Sequence, residues 1–239
     1  MKISDTHWLK TVPIAHRGLW GNGIVENSLT AYQNAVDNGY AIEIDLHLSS
    51  DKVLFSFHDS TLKRMTGEEG LLSDKTYDEL KSLTLVGSNE KIPTFDEILD
   101  LVDGKVPLLI EIKNQPDKSV VDRIVKRLET YKGEYALQSF NPLYMLRVKK
   151  LNPNIIRGVL SSKHKFKTSA FNNFAIHSMM FNFLIKPDFL SYDHVYLPTP
   201  KRRVGKKTVL AWTITDQSAL DKAKKSADNF IFEHFIPRI

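Results

Sequence analysis

The 239-residue sequence contains no cysteine. That excludes disulfides, thiolate zinc sites, iron–sulfur clusters and cysteine nucleophiles. Any bound metal must be held by oxygen or imidazole. No apolar run reaches the ~18 residues of a membrane span, so no stable membrane anchor is expected. The first ten residues carry charges throughout and lack the apolar stretch of a secretory signal. Excess charge is also scarce: 33 basic against 28 acidic residues leave +5, which favours anionic ligands without naming nucleic acid. What is present, 42% hydrophobic and 26% charged residues, excludes a disordered, collagen-like or bare coiled-coil chain. The composition reads as a cytoplasmic protein with one large core.

Short apolar runs alternate with helical patterns. The runs at 12–16, 41–48, 53–58, 107–113, 135–140, 155–160, 189–193, 209–213 and 229–233 read as buried strands. Helices are expected at 29–38, capped by Asn27, at 94–102 from the capping box Thr94-Phe95-Asp96-Glu97, and at 118–130, 142–151 and 217–226. Only four residues separate the second and third runs, too few for a parallel crossover, so these two form an antiparallel hairpin. Setting the return strand aside leaves eight strands joined by helical crossovers. That pattern argues for an α/β TIM (β/α)8 barrel, a single domain over 1–239 with an insertion at about 60–106. An open doubly wound sheet has the same element order and stays open as an alternative.

Function in such barrels gathers at the C-terminal strand ends. Those ends are polar here: Ala15-His16-Arg17-Gly18, Glu43-Ile44-Asp45, Phe57-His58-Asp59, Glu111-Ile112-Lys113, Gln138-Ser139-Phe140-Asn141 and Ala211-Trp212-Thr213. Strand residues two apart share a face, so Glu43 pairs with Asp45 and Glu111 with Lys113. Three semi-buried carboxylates repel, and a hard divalent cation, Mg²⁺ or Ca²⁺, relieves that repulsion. The alternative is internal ion pairing with Arg17 and Lys113. His16 and His58 are candidates for an acid–base pair, and Arg17 for a phosphate ligand. His47 continues the Glu43/Asp45 face toward the hairpin tip and is expected to be exposed. Asn27 caps a helix or reaches a phosphate. Trp212 is barrel core or, with Phe140, a wall against the apolar part of a substrate. Lys201-Arg202-Arg203 reads as a solvated segment, with no aromatic residue inside it to stack on nucleic-acid bases.

These residues, with Glu26-Asn27, His58-Asp59, Ile92-Pro93-Thr94, Ser139-Phe140 and Trp212-Thr213 in that order, resemble the glycerophosphodiester phosphodiesterase family from about residue 13 to 233. The resemblance implies a TIM barrel with an insertion after its second strand. It implies His16 and His58 as the acid–base pair, Glu43, Asp45 and Glu111 as ligands of Ca²⁺ or Mg²⁺, and Arg17 and Lys113 on the phosphate. The partner would be a small phosphodiester, cleaved to glycerol 3-phosphate and an alcohol. Related barrels acting on lysophospholipids or sphingomyelin are one alternative, and a non-catalytic phosphate-binding barrel is another. The chain departs from the family at Val25, at the glycine-free turn 49–52, at Ile231-Phe232-Glu233-His234 and throughout 163–186.

Overall fold

A computed structural model describes residues 3–165, 169–199 and 204–238. Among them nine strands form one sheet: β1 (Ile14–Ala15), β2 (Ala41–Leu48), β3 (Leu54–Ser56), β4 (Leu108–Ile112), β5 (Tyr135–Ser139), β6 (Arg157–Ser161), β7 (Phe189–Asp193), β8 (Thr208–Ile214) and β9 (Asn229–Phe232). The hydrogen-bonded order is β1–β9–β8–β7–β6–β5–β4–β2–β3, with β1 also paired to β2. That is the ladder of a (β/α)8 barrel carrying β3 as an extra strand. No helix among the described residues is long and apolar enough to cross a membrane.

The chain divides into two compact units, Ala15–Tyr135 and Met1–Ile14 with Ala136–Ile239. In the first, β2 reads AIEIDLHL and all eight residues are buried, as in a strand covered on both faces. Its parallel register with β4 sets Asp45 beside Glu111. β3 returns antiparallel, Leu46 opposite Ser56. The left-handed turn position that glycine often fills is taken by Lys52, φ 71°. The helix Leu29–Asp37 begins where expected, but its cap is Ser28, not Asn27: the Ser28 hydroxyl accepts the Ala31 N–H. The reciprocal Thr94–Glu97 capping box opens the helix Phe95–Val102, as expected. Within 60–106, Leu62, Met65, Leu72, Leu80, Leu85 and Ile92 close a separate apolar core with Phe55 and Phe57.

β1 is shorter than the expected run because the backbone turns at once. Arg17 (φ 58°) and Gly18 (φ 84°) both adopt the left-handed region. A Cβ on Gly18 would lie 2.8 Å from the Ala31 backbone carbon. Gly18→Ala should therefore cost ~1–3 kcal/mol of stability or more, through strain plus displacement of the helix Leu29–Asp37. Denaturant unfolding of the variant checks it, and parent stability would show that the turn tolerates a side chain.

In the second unit, β6 to β9 are parallel neighbours. Arg157 donates to the backbone carbonyls of Pro153, Ile155 and Ile185, tying the start of β6 to the turn before β7. The stretch 163–186, apart from residues 166–168, contains the helices Ala170–Ser178 and Asn182–Ile185 and exposes Phe174 and Phe183. Residues 166–168 and the basic run 201–203 lie outside the described residues.

Candidate active site

Seven of the nine expected site residues fall in the unit Ala15–Tyr135, and their charged atoms converge. Glu43, Asp45 and Glu111 are buried, at 2%, 0% and 8% exposure. Each offers an oxygen within 4.8 Å of the others. The shared face of Glu43 and Asp45 follows from their spacing on β2, and the β2–β4 register adds Glu111. Burial, with Asp45 and Glu111 close by, pushes the Glu43 carboxyl well above its ordinary range. Asp45 moves the other way: burial opposes its charge, yet Lys113, His58, Arg17 and His16 hold it well below. Three oxygen donors at this span, with no sulfur, suit one hard cation, whose opposed ligands sit about 4–5 Å apart.

The cations interleave with the acids. Lys113 Nζ lies 2.9 Å from Glu111 Oε1 and 3.3 Å from Asp45 Oδ1. The turn at Arg17 aims its backbone N–H at Glu43 Oε2 (3.2 Å), while its guanidinium donates to Glu26 Oε1 (2.8 Å) and faces Asp45 Oδ2 at 3.5 Å. His16 Nε2 stands 4.0 Å from Glu43 Oε2. His58 follows β3 and meets Asp59 through Nδ1 at 2.7 Å. A carboxylate only accepts, so Nδ1 donates, and in the neutral form of the ring the lone pair lies on Nε2, on the opposite side. Both readings of the acids thus hold partly: they are ion-paired, and they form a cation-sized oxygen cluster.

Two expectations change. Asn27 is not the helix cap. It sits at φ 53° and donates through Nδ2 to Asp45 Oδ2 at 3.2 Å. Behind it the buried Tyr32 hydroxyl donates to Asn27 Oδ1 (2.8 Å) and lies 2.6 Å from Ser56 Oγ. Asn27 therefore orients Asp45. Tyr32 and Ser56 escaped sequence reasoning because their contact spans 24 positions, beyond any local period. His47 is buried, not exposed; its Nε2 approaches the carbonyl of His58, a residue beyond the hairpin, at 3.4 Å. Burial, with Lys113 nearby, pushes its imidazole down to about 4. An unfolded histidine near 6.5 binds a proton that native His47 refuses, so its contribution is present above pH 6.5 and lost as pH falls toward 4. Up to ~3 kcal/mol of stability should disappear across that window, less in His47→Gln. Urea unfolding at several pH values checks this, and identical slopes would exclude His47.

Phe140 and Trp212 lie in the other unit and meet edge to face, ring centres 5.6 Å apart. Trp212 Nε1 is buried and has no hydrogen-bond partner among the described residues.

The ladder order and the cluster define a barrel hydrolase suited to a phosphate ester: oxygen donors for a hard cation beside histidines, an arginine and a lysine. The model of the glycerophosphoryl diester phosphodiesterase family matches residues 16–233, and the chain belongs to that family. It is 34% identical over 166 residues to a glycerophosphodiester phosphodiesterase of Caldanaerobacter subterraneus, covering 64% of this chain and 67% of that one. It is 32% identical to Bacillus subtilis YhdW, covering 87% and 88% of the two chains. A phosphodiesterase of Oleispira antarctica, solved with its product sn-glycerol-3-phosphate, superposes with a TM-score of 0.77 at 26% identity, over 93% of this chain and 92% of that one. Membership makes the chain a phosphoric diester hydrolase of the glycerophosphodiester class.

Proposed function

We propose that this chain, one barrel domain with its insertion at 60–106, hydrolyses glycerophosphodiesters to glycerol 3-phosphate and an alcohol, with Glu43, Asp45 and Glu111 holding Mg²⁺ or Ca²⁺. The observation that carries the reading is the buried carboxylate trio interleaved with Arg17, Lys113 and His16. A divalent cation there would neutralise charge developing on the phosphoryl oxygens. Arg17 offers a planar fork, and Lys113 a point charge, to the same oxygens. His16 and His58 divide the remaining work: one takes the proton of the attacking hydroxyl, the other protonates the departing alkoxide. His58 keeps Nε2 available because Asp59 occupies Nδ1. For the organic part of the substrate the proposed contacts are Phe140 and Trp212, which pack edge to face within their own unit. The attacking hydroxyl belongs to water, either directly or after the glycerol 2-hydroxyl has closed a cyclic phosphate.

The test is release of glycerol 3-phosphate from glycerophosphocholine, followed by ³¹P NMR with and without chelator. Cation-dependent release supports the reading, and a transient cyclic phosphate assigns the first nucleophile. No release from any glycerophosphodiester would overturn it. The exposed Phe174 and Phe183 favour testing a lysophospholipid beside it. Faster turnover of the lipid would move the preferred substrate to that class.

A further inference from the structure

We propose that Arg64 is a positioning residue that ties His58 to Arg17 through the carboxylates Asp59 and Glu26, and that the apolar core of the insertion holds it there. The proposal rests on the acid–base role given to His58 above and adds a group that touches no substrate.

Arg64 spreads its guanidinium over two acids. Nε donates to Asp59 Oδ2 at 2.7 Å and NH2 to Asp59 Oδ1 at 3.1 Å, a bidentate grip. The same NH2 donates to Glu26 Oε1 at 2.7 Å. Each acid has a second partner. Asp59 Oδ1 accepts from His58 Nδ1 at 2.7 Å, and Glu26 Oε1 accepts from Arg17 NH1 at 2.8 Å. One planar side chain thereby sets the ring orientation of the histidine and the fork of the arginine. The hydrogen bond from His58, and Arg64 beside it, hold Asp59 well below the ordinary carboxylate range, so the acid stays an acceptor.

The clamp needs a rigid mount, because Arg64 is itself half exposed and an exposed ion pair alone contributes little. The mount is the short helix Lys63–Thr66. Leu62 before Arg64 and Met65 after it are both buried in the cluster formed with Phe55, Phe57, Leu72, Leu80, Leu85 and Ile92. The insertion is therefore a support that delivers one guanidinium to the rear of the site. A lysine cannot replace it: one ammonium lacks the planar fork that grips Asp59 and reaches Glu26 at once.

The experiment compares the full chain with Arg64→Ala, Arg64→Lys and Asp59→Asn, singly and as the Arg64→Ala/Asp59→Asn pair. Arg64→Ala is expected to lower kcat on glycerophosphocholine ~10–100-fold, the range for partners that orient a reacting group's neighbours, with a smaller change in KM. Arg64→Lys recovers only part, millimolar guanidinium restores part of the Arg64→Ala rate, and the double variant falls little below the worse single one. A merely structural arginine shows neither rescue nor this coupling. Parent kcat in Arg64→Ala, or losses that multiply in the double variant, would overturn the proposal. A second readout needs no turnover. In ¹⁵N-histidine spectra at a pH where the rings are neutral, His58 is expected as one Nδ1–H tautomer in the parent and as a mixture in Arg64→Ala. An unchanged tautomer in a folded Arg64→Ala overturns the clamp, even if glycerophosphodiesters prove not to be substrates. Loss of catalysis in the parent with the tautomer shift intact condemns only the substrate reading.

Discussion

Glu43→Gln should abolish most activity while leaving the cation-free protein at least as stable as the parent. The two effects have one origin. Burial beside Asp45 and Glu111 makes the charged form of Glu43 costly, so a neutral amide of the same shape removes a repulsion from the native state. The same amide removes a ligand charge from the oxygen cluster. Losing several kcal/mol of charge stabilisation in the transition state corresponds to a rate loss on the order of 10³-fold. Mg²⁺ or Ca²⁺ should raise the melting temperature of the parent and do so less in Glu43→Gln. Glu43 must shed its proton to ligate, so the cation's effect should weaken as pH falls. Asp45→Asn should be equally inactive but less stable, because Arg17, Lys113 and Asn27 all lean on that carboxylate. Kinetics and thermal melts with and without chelator decide. Full activity in chelator removes the cation from the mechanism.

His16→Ala and His58→Ala should each reduce kcat by ~10²–10⁴-fold, the range for a positioned acid or base. Together they should cost less than the product of the two, because both act on one transition state. A p-nitrophenyl phosphodiester separates the roles. Its leaving group departs without a proton, so the variant lacking the acid is partly rescued and the variant lacking the base is not. Asp59→Asn should resemble the His58 variant in direction, since the neutral amide holds Nδ1–H more weakly and can instead donate to that nitrogen. If neither histidine variant slows turnover, the acid–base assignment falls.

The parts of this site legible in the sequence are those written in strand geometry. Alternation on β2 places Glu43 and Asp45 together, and alternation on β4 places Lys113 with Glu111, as their 2.9 Å contact shows. The four-residue gap dictated the antiparallel β2–β3 hairpin. What was not legible depends on distant chain. Asn27 and Ser28 are both good caps, and only the left-handed turn at Asn27 decides which one serves the helix. A hairpin tip is usually exposed, yet His47 is buried, with its Nε2 3.4 Å from the His58 carbonyl eleven residues on. Arg64 sits in a four-residue helix with no periodicity to distinguish it from other surface arginines.

Every ionisable group assigned to the chemistry lies between positions 16 and 113, inside the compact unit Ala15–Tyr135. Phe140 and Trp212, which belong to the other unit, carry no charge. On the roles proposed above, the gene is partitioned by task in a way that recombination can use. Exchanging residues 136–239 among relatives should diversify the organic group accepted and spare the cation affinity. Random mutagenesis of the first segment should mostly yield dead enzymes, whereas the second should yield altered preferences.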